Sequence, residues 1–153
     1  MSPKYLLIVY YTETGNTKLM AELIGEGARG LGADVEIKRV EECKPEDLVR
    51  ADGIAVGSPT YFSNVAWQVK KLIDESIAQY RNGRQLRGKV GGCFTSAGTK
   101  ADAEDCLRML ELALSRHHEM KMVPGITKAS DDQWEEAIKT CRKYGEEIAK
   151  NMK

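Results

Sequence analysis

Lys4 to Tyr11 is nearly all apolar and β-prone and runs straight into a cluster of Thr, Gly and Asn, which predicts a central strand buried on both faces. From Lys18 the period changes: Met20, Leu23, Ile24, Gly27, Ala28 and Leu31 recur at three- and four-residue steps, and Gly30 and Gly32 offer a stop. That pattern predicts an amphipathic helix. Asp34 to Val40 sets Val35, Ile37 and Val40 among charges, as expected of a strand near a sheet edge. Pro45 begins a short helical turn. Ala51 to Gly57 reads as a second buried strand, expected to end at Ser58-Pro59 because proline cannot extend the ladder.

Helical spacing returns at Val65, Val69, Leu72, Ile73 and Ile77. Lys89 to Thr95 is a fourth strand of Gly and small residues, and Thr95 to Lys100 a loop after it. Ala103, Cys106, Leu107, Leu110 and Leu114 form the next helical stripe, and Met120 to Val123, closed by Pro124-Gly125, is a short fifth strand. Trp134, Ala137, Ile138, Cys141, Ile148 and Met152 line a last helix, which a Ser130-x-x-Gln133 capping box is expected to open. Five strands alternating with five helices predict an α/β fold, a three-layer doubly wound parallel sheet within one domain over residues 1–153. Ligands of such sheets bind beyond the strand C-termini, so the loops at 12–17, 58–64 and 95–102 are the ones to read for function.

Charge and composition narrow the classes. The chain has 23 Lys plus Arg against 23 Asp plus Glu, so no global field draws it to nucleic acid or to an anionic membrane. Its longest apolar runs fall far short of the roughly 18–20 residues of a spanning helix, and no signal-peptide pattern opens it, which together point to the cytoplasm. Cys43, Cys93, Cys106 and Cys141 are scattered, without a CxxC pair, and read as buried reduced thiols rather than metal ligands. His117 and His118 are neighbours, point about 100° apart on a helix, and read as a helix-end pair beside solvent. No metal site is expected.

The chemistry concentrates after the first strand. Thr12, Thr14, Asn16 and Thr17 supply four hydrogen-bonding side chains within six residues, and Gly15 permits a sharp turn immediately before a helix. A helix N-terminus carries free N–H donors and partial positive charge, so this loop suits a compact anion. It holds no Lys or Arg and does not match GxxxxGK[ST], which favours one phosphate held by neutral donors over a nucleoside triphosphate. Gly25-Glu26-Gly27-Ala28-Arg29-Gly30 spells GxGxxG, but it lies in the second half of a helical pattern. The dinucleotide fingerprint works only between a strand and a helix N-terminus, so packing on the sheet and helix termination explain these glycines instead.

Thr12-Glu13-Thr14-Gly15-Asn16-Thr17 resembles the [ST]-x-[ST]-G-x-[ST] phosphate loop of flavodoxins. Ser58 to Asn64, Gly88 to Gly91 and Phe94 to Thr99 resemble the NAD(P)H:quinone oxidoreductases related to the Trp-repressor-binding protein. The resemblance implies strand order 2-1-3-4-5 and one FMN. It places the phosphate on residues 12–17 and the flavin ring against Pro59, Thr60, Tyr61, Phe62 and Asn64 on one side and Thr95, Ser96, Ala97, Gly98 and Thr99 on the other. Aromatics suit a flat apolar ring, and stacking adds roughly 0.5–1.5 kcal/mol beyond area burial.

Two departures shape the expected activity. The quinone reductases carry His-Gly-Gly-Gln-Glu where this chain has Ala101-Asp102-Ala103-Glu104-Asp105, so their histidine is missing. Typical flavodoxins are strongly acidic, whereas residues 1–64 here hold 7 basic and 10 acidic groups and residues 65–153 hold 16 and 13. The reading is an FMN electron carrier shuttling between a reductase and an acceptor protein, monomeric or homodimeric, with no catalytic side chain because the flavin does the chemistry. The alternatives are an NAD(P)H-dependent quinone or flavin reductase and a non-flavin interaction domain on the same fold.

Overall fold

A computed structural model describes residues 2–153. In chain order the elements are β1 (Tyr5–Tyr10), α1 (Asn16–Gly30), β2 (Asp34–Arg39), α2 (Pro45–Arg50), β3 (Gly53–Tyr61), β4 (Asn64–Val65), α3 (Trp67–Tyr80), β5 (Val90–Ala97), α4 (Lys100–Leu112), β6 (Lys121–Met122), β7 (Ile126–Ala129) and α5 (Trp134–Asn151). The sheet runs β2-β1-β3-β5-β6, with β7 also on β5 and β4 folded back on β3. Every pairing is parallel except β3 with β4. The expected 2-1-3-4-5 order is present, its last place shared by β6 and β7.

β1 shows why the sheet has helices on both faces. Leu6, Ile8 and Tyr10 join one buried cluster with α1 and α5, while Leu7, Val9 and Tyr11 join another with α2, α3 and α4. A strand with no polar side can only be the middle layer of three. β2 alternates exposed and half-buried residues as an edge strand does. All four cysteines are free and buried, and burial pushes the Cys43 and Cys141 thiols up to about 12, as inert core thiols require.

Five expectations need correction. β3 does not stop at Pro59 but runs to Tyr61. Gly57 O accepts the Tyr11 N–H at 3.2 Å, so by the two-residue alternation Pro59 faces the side where β1 has already ended, and its missing N–H costs no ladder bond. β5 likewise continues through Ala97 rather than looping from Thr95.

The fifth strand does not finish at Pro124-Gly125 but resumes as β7. Gly91 pairs with Met122 and Phe94 with Ile126, which leaves one extra residue on the outer strand, a bulge. Tyr144 from α5 fills the gap: its hydroxyl accepts the Cys93 N–H at 3.0 Å and donates to Val123 O at 2.9 Å. A Cβ on Gly125 would lie 2.5 Å from Cys93 O, so only glycine fits the bulge. Tyr144→Phe strands two buried backbone groups and is expected to cost about 2 kcal/mol, read as a lower urea midpoint with unchanged slope.

No capping box opens α5. Gln133 occupies the N-cap position without a side-chain bond, because Ser130 donates to Ala97 O (3.4 Å) and Asp132 accepts the Ala129 N–H (2.8 Å).

His117 is exposed as expected, but His118 is buried, 2.9 Å from Ser76 Oγ. Ser76 spends its proton on Ile73 O at 2.9 Å, so His118 Nε2–H is the donor and Nδ1 is left buried and unpaired. Burial, reinforced by His117, lowers the His118 pKa below its usual 6.5. The unfolded chain therefore takes up a proton before the folded one does. Stability is full above the ordinary imidazole range and falls as pH drops toward the lowered folded value. Urea titrations at pH 7 and pH 5 should show this slope, and His118→Gln should flatten it.

Candidate functional site

Where β1 ends, the chain turns through residues 11–15 into α1. Thr12 Oγ1 accepts the Gly15 N–H at 3.0 Å, and Gly15 adopts φ +101°, a conformation that disfavours any side chain although nothing crowds the position. Leu19 N–H is bonded to Gly15 O at 3.0 Å. The N–H groups of Asn16, Thr17 and Lys18 stand ahead of it with no carbonyl one turn back inside the helix, and they face the loop. Thr17 is buried, its Oγ1 2.9 Å from Ser96 Oγ at the end of β5, so the start of α1 and the end of β5 are tied beneath the loop.

Glu13 is turned to one flank, where its carboxylate accepts the Tyr11 hydroxyl at 3.0 Å. Burial and the same carboxylate push the Tyr61 hydroxyl up to about 12, so Tyr61 stays a neutral donor. Arg39 reaches the loop from β2, donating to Thr12 O at 3.4 Å, and is paired with Glu41 at 3.2 Å.

Residues 58–65 form a hairpin, with Tyr61 paired to Asn64 around Phe62 and Ser63. Both tip residues have positive φ, 53° and 65°, as a two-residue type I′ turn demands and as Asn-Gly usually supplies. Ser63 Oγ bonded to Asp102 Oδ1 at 2.8 Å anchors the tip to the first turn of α4. Phe62 is wholly exposed and Trp67 is 69% exposed. Because Phe62 buries nothing, Phe62→Gly should remove left-handed strain at no packing cost and raise stability by about 0.5–1 kcal/mol, measured by urea denaturation.

These elements enclose a cleft of about 210 Å³ beyond the strand C-termini. Thr12, Glu13, Thr14, Asn16 and Thr17 line it from the first loop. Pro59, Thr60 and Tyr61 line it from the hairpin, and Ser96, Ala97 and Gly98 from the end of β5. The other expected residues lie around it. Gly15 makes the turn, Phe62 points to solvent, and Asn64 is exposed, accepting the Val65 N–H at 2.8 Å. Thr95 is fully buried and donates to Ala103 O at 2.9 Å, and Thr99 caps α4 through the Asp102 N–H at 3.2 Å. Ser130 also lines the cleft, and Lys128 is buried two residues before it. Neither was legible as a site residue, because the pairing of β7 with β5 brings them here from the far end of the chain.

Chemically, the cleft offers free helix N–H groups, hydroxyls and an amide at one end, and an aromatic beside small residues at the other. A phosphate monoester on a flat aromatic ring fits that donor set. Among the described residues no cluster of His, Cys, Asp and Glu could hold a metal ion.

The comparisons with known proteins agree with this geometry. A family model described as NADPH-dependent FMN reductase matches residues 45–135. A protein named flavodoxin from Aquifex aeolicus is 34% identical over 94% of this chain and 84% of its own. An NAD(P)H dehydrogenase (quinone) from Cupriavidus metallidurans is 33% identical over 77% of this chain and 69% of its own. Among solved structures, a flavodoxin, WrbA-like protein from Agrobacterium tumefaciens superposes with a TM-score of 0.83 at 27% identity, covering 97% of each chain. Sequence, sheet order and the phosphate-type loop converge: the chain belongs to the flavodoxin-like family of FMN proteins.

Proposed function

We propose that this chain is a single-domain FMN electron carrier, passing electrons between a reductase and an acceptor protein in the cytoplasm. The cofactor is FMN. Residues 12–17 hold its phosphate, and Pro59, Thr60, Tyr61, Ser96, Ala97 and Gly98 flank its ring, with Phe62, Asn64, Thr95 and Thr99 shaping the walls. Bound flavin supplies the redox chemistry; the chain binds it, orients it and sets the charge around it.

The observation that carries the carrier reading is the first turn of α4. Ala101 is exposed there, and Asp102 is committed to Ser63 Oγ and to the α4 backbone cap. The side chains beside the hairpin are thereby used to fix its shape, and none of them takes the place of the histidine that the quinone reductases carry there. The competing reading, an NAD(P)H-dependent quinone reductase, draws on the relatives that carry that name. Steady-state oxidation of NADH and NADPH with a benzoquinone separates the two. The carrier reading expects turnover no faster than free FMN gives, together with rapid reduction of the bound flavin by a flavodoxin reductase. Saturable NAD(P)H:quinone turnover would overturn it.

A further inference from the structure

Among the described residues, Asp47, Lys128 and His118 are the buried titratable groups outside the cysteines and tyrosines. Asp47 lies against Lys38 and Arg50 and accepts the Lys44 N–H at 2.9 Å. His118 is neutral. Lys128 is 5% exposed, yet no carboxylate lies within ion-pair distance of it among the described residues. Burying an ammonium is costly unless an opposite charge compensates it, so its surroundings should show where that charge enters.

Lys128 stands beside Ser96 in the pairing of β7 with β5, and Ser96 Oγ is the atom 2.9 Å from Thr17 in the first turn of α1. Its Nζ donates to Ala129 O at 2.6 Å and sits 4.9 Å from the Trp134 ring centre. The peptide after that carbonyl belongs to Ser130, which lines the FMN cleft. The ammonium is therefore held one peptide unit behind the cleft wall, with an indole over it. Asp131, Asp132 and Glu136 border a neighbouring cleft with Lys128, but Asp132 spends its carboxylate on the Ala129 N–H. Arg39, which also reaches the phosphate loop, is already paired with Glu41.

We infer that Lys128 is the counter-charge of the FMN phosphate, acting from behind the wall between Ser96 and Ser130 where the loop itself carries no base. The inference rests on the FMN reading above. Coulomb attraction between unit charges needs no contact and, at an effective dielectric near 20, still acts through an intervening peptide, and the aromatic face stabilises the cation until the phosphate arrives.

The test titrates FMN and riboflavin, by flavin fluorescence, into the full chain freed of flavin, as wild type, Lys128→Met and Lys128→Gln. Methionine keeps the volume, and glutamine keeps a donor for Ala129 O but no charge. Both variants are expected to weaken FMN about tenfold or more while riboflavin affinity stays within about twofold. Either folded variant binding FMN as wild type does, or losing riboflavin in parallel, would overturn the inference. If wild type takes neither flavin, it is the FMN reading that fails, and the two failures are told apart.

Discussion

Gly145→Ala is expected to destabilise the protein by about 3 kcal/mol or more and to lower its midpoint temperature by roughly 6–12 °C. Intrinsic propensity argues the opposite, since alanine in a helix interior is favoured over glycine by about 1 kcal/mol. Packing decides. A Cβ at Gly145 would lie 1.9 Å from Ile24 O and 2.9 Å from Ala28 N, and reciprocally a Cβ at Gly27 would lie 1.9 Å from Arg142 O. The obstructing atoms are backbone on both sides, so no rotamer change relieves the clash and α1 and α5 must separate. Gly30→Ala is the control: it lies at the end of α1 with nothing within 4 Å, and should be neutral or stabilising by a few tenths of a kcal/mol. Differential scanning calorimetry of the three proteins decides it. Equal midpoints for Gly145→Ala and wild type would mean that the helices do not cross this closely. Because α1 starts at the loop proposed to hold the phosphate, Gly145→Ala should also weaken FMN.

That pair of glycines shows what the sequence could and could not disclose. The GxGxxG string at residues 25–30 lies within a helix, which rules out a nucleotide fingerprint and predicts packing on the sheet. Gly25 does meet Ile37 of β2, with a Cβ position 2.9 Å from Cδ1. Gly27 instead meets α5, a partner more than a hundred residues away that periodicity cannot name. The same limit explains the other departures. Hydrophobic runs gave the strands, but their ends depend on which neighbour has already stopped, as at Pro59. A five-residue window could not foresee that Tyr144 would bridge a bulge and let the outer strand resume at Ile126. Local composition singles out residues 12–17 as a loop suited to an anion and without a base. Lys128 arrives only through strand pairing.

FMN should bind at least a hundredfold more tightly than riboflavin, a difference made at the phosphate end of the cleft, by residues 12–17 with Lys128 behind them. The two ligands share the ring, so contacts along the hairpin and β5 cancel in the comparison. What remains is a phosphate against the Asn16, Thr17 and Lys18 N–H groups, the Thr14 hydroxyl, the partial charge of α1 and the Lys128 ammonium behind the wall, and hydrogen bonds to a charged group contribute about 1.5–3 kcal/mol each. Two such bonds already exceed a hundredfold, since about 1.4 kcal/mol is tenfold. Thr17→Val sharpens the test: it nearly preserves volume, removes the bond to Ser96 Oγ and leaves the N–H groups in place. It should cost FMN about tenfold and riboflavin little. A loop that merely turned the chain into α1 would give equal affinities for the two flavins, because the turn needs only Thr12 Oγ1 and Gly15. Isothermal titration of both ligands therefore distinguishes an anion site from a plain turn.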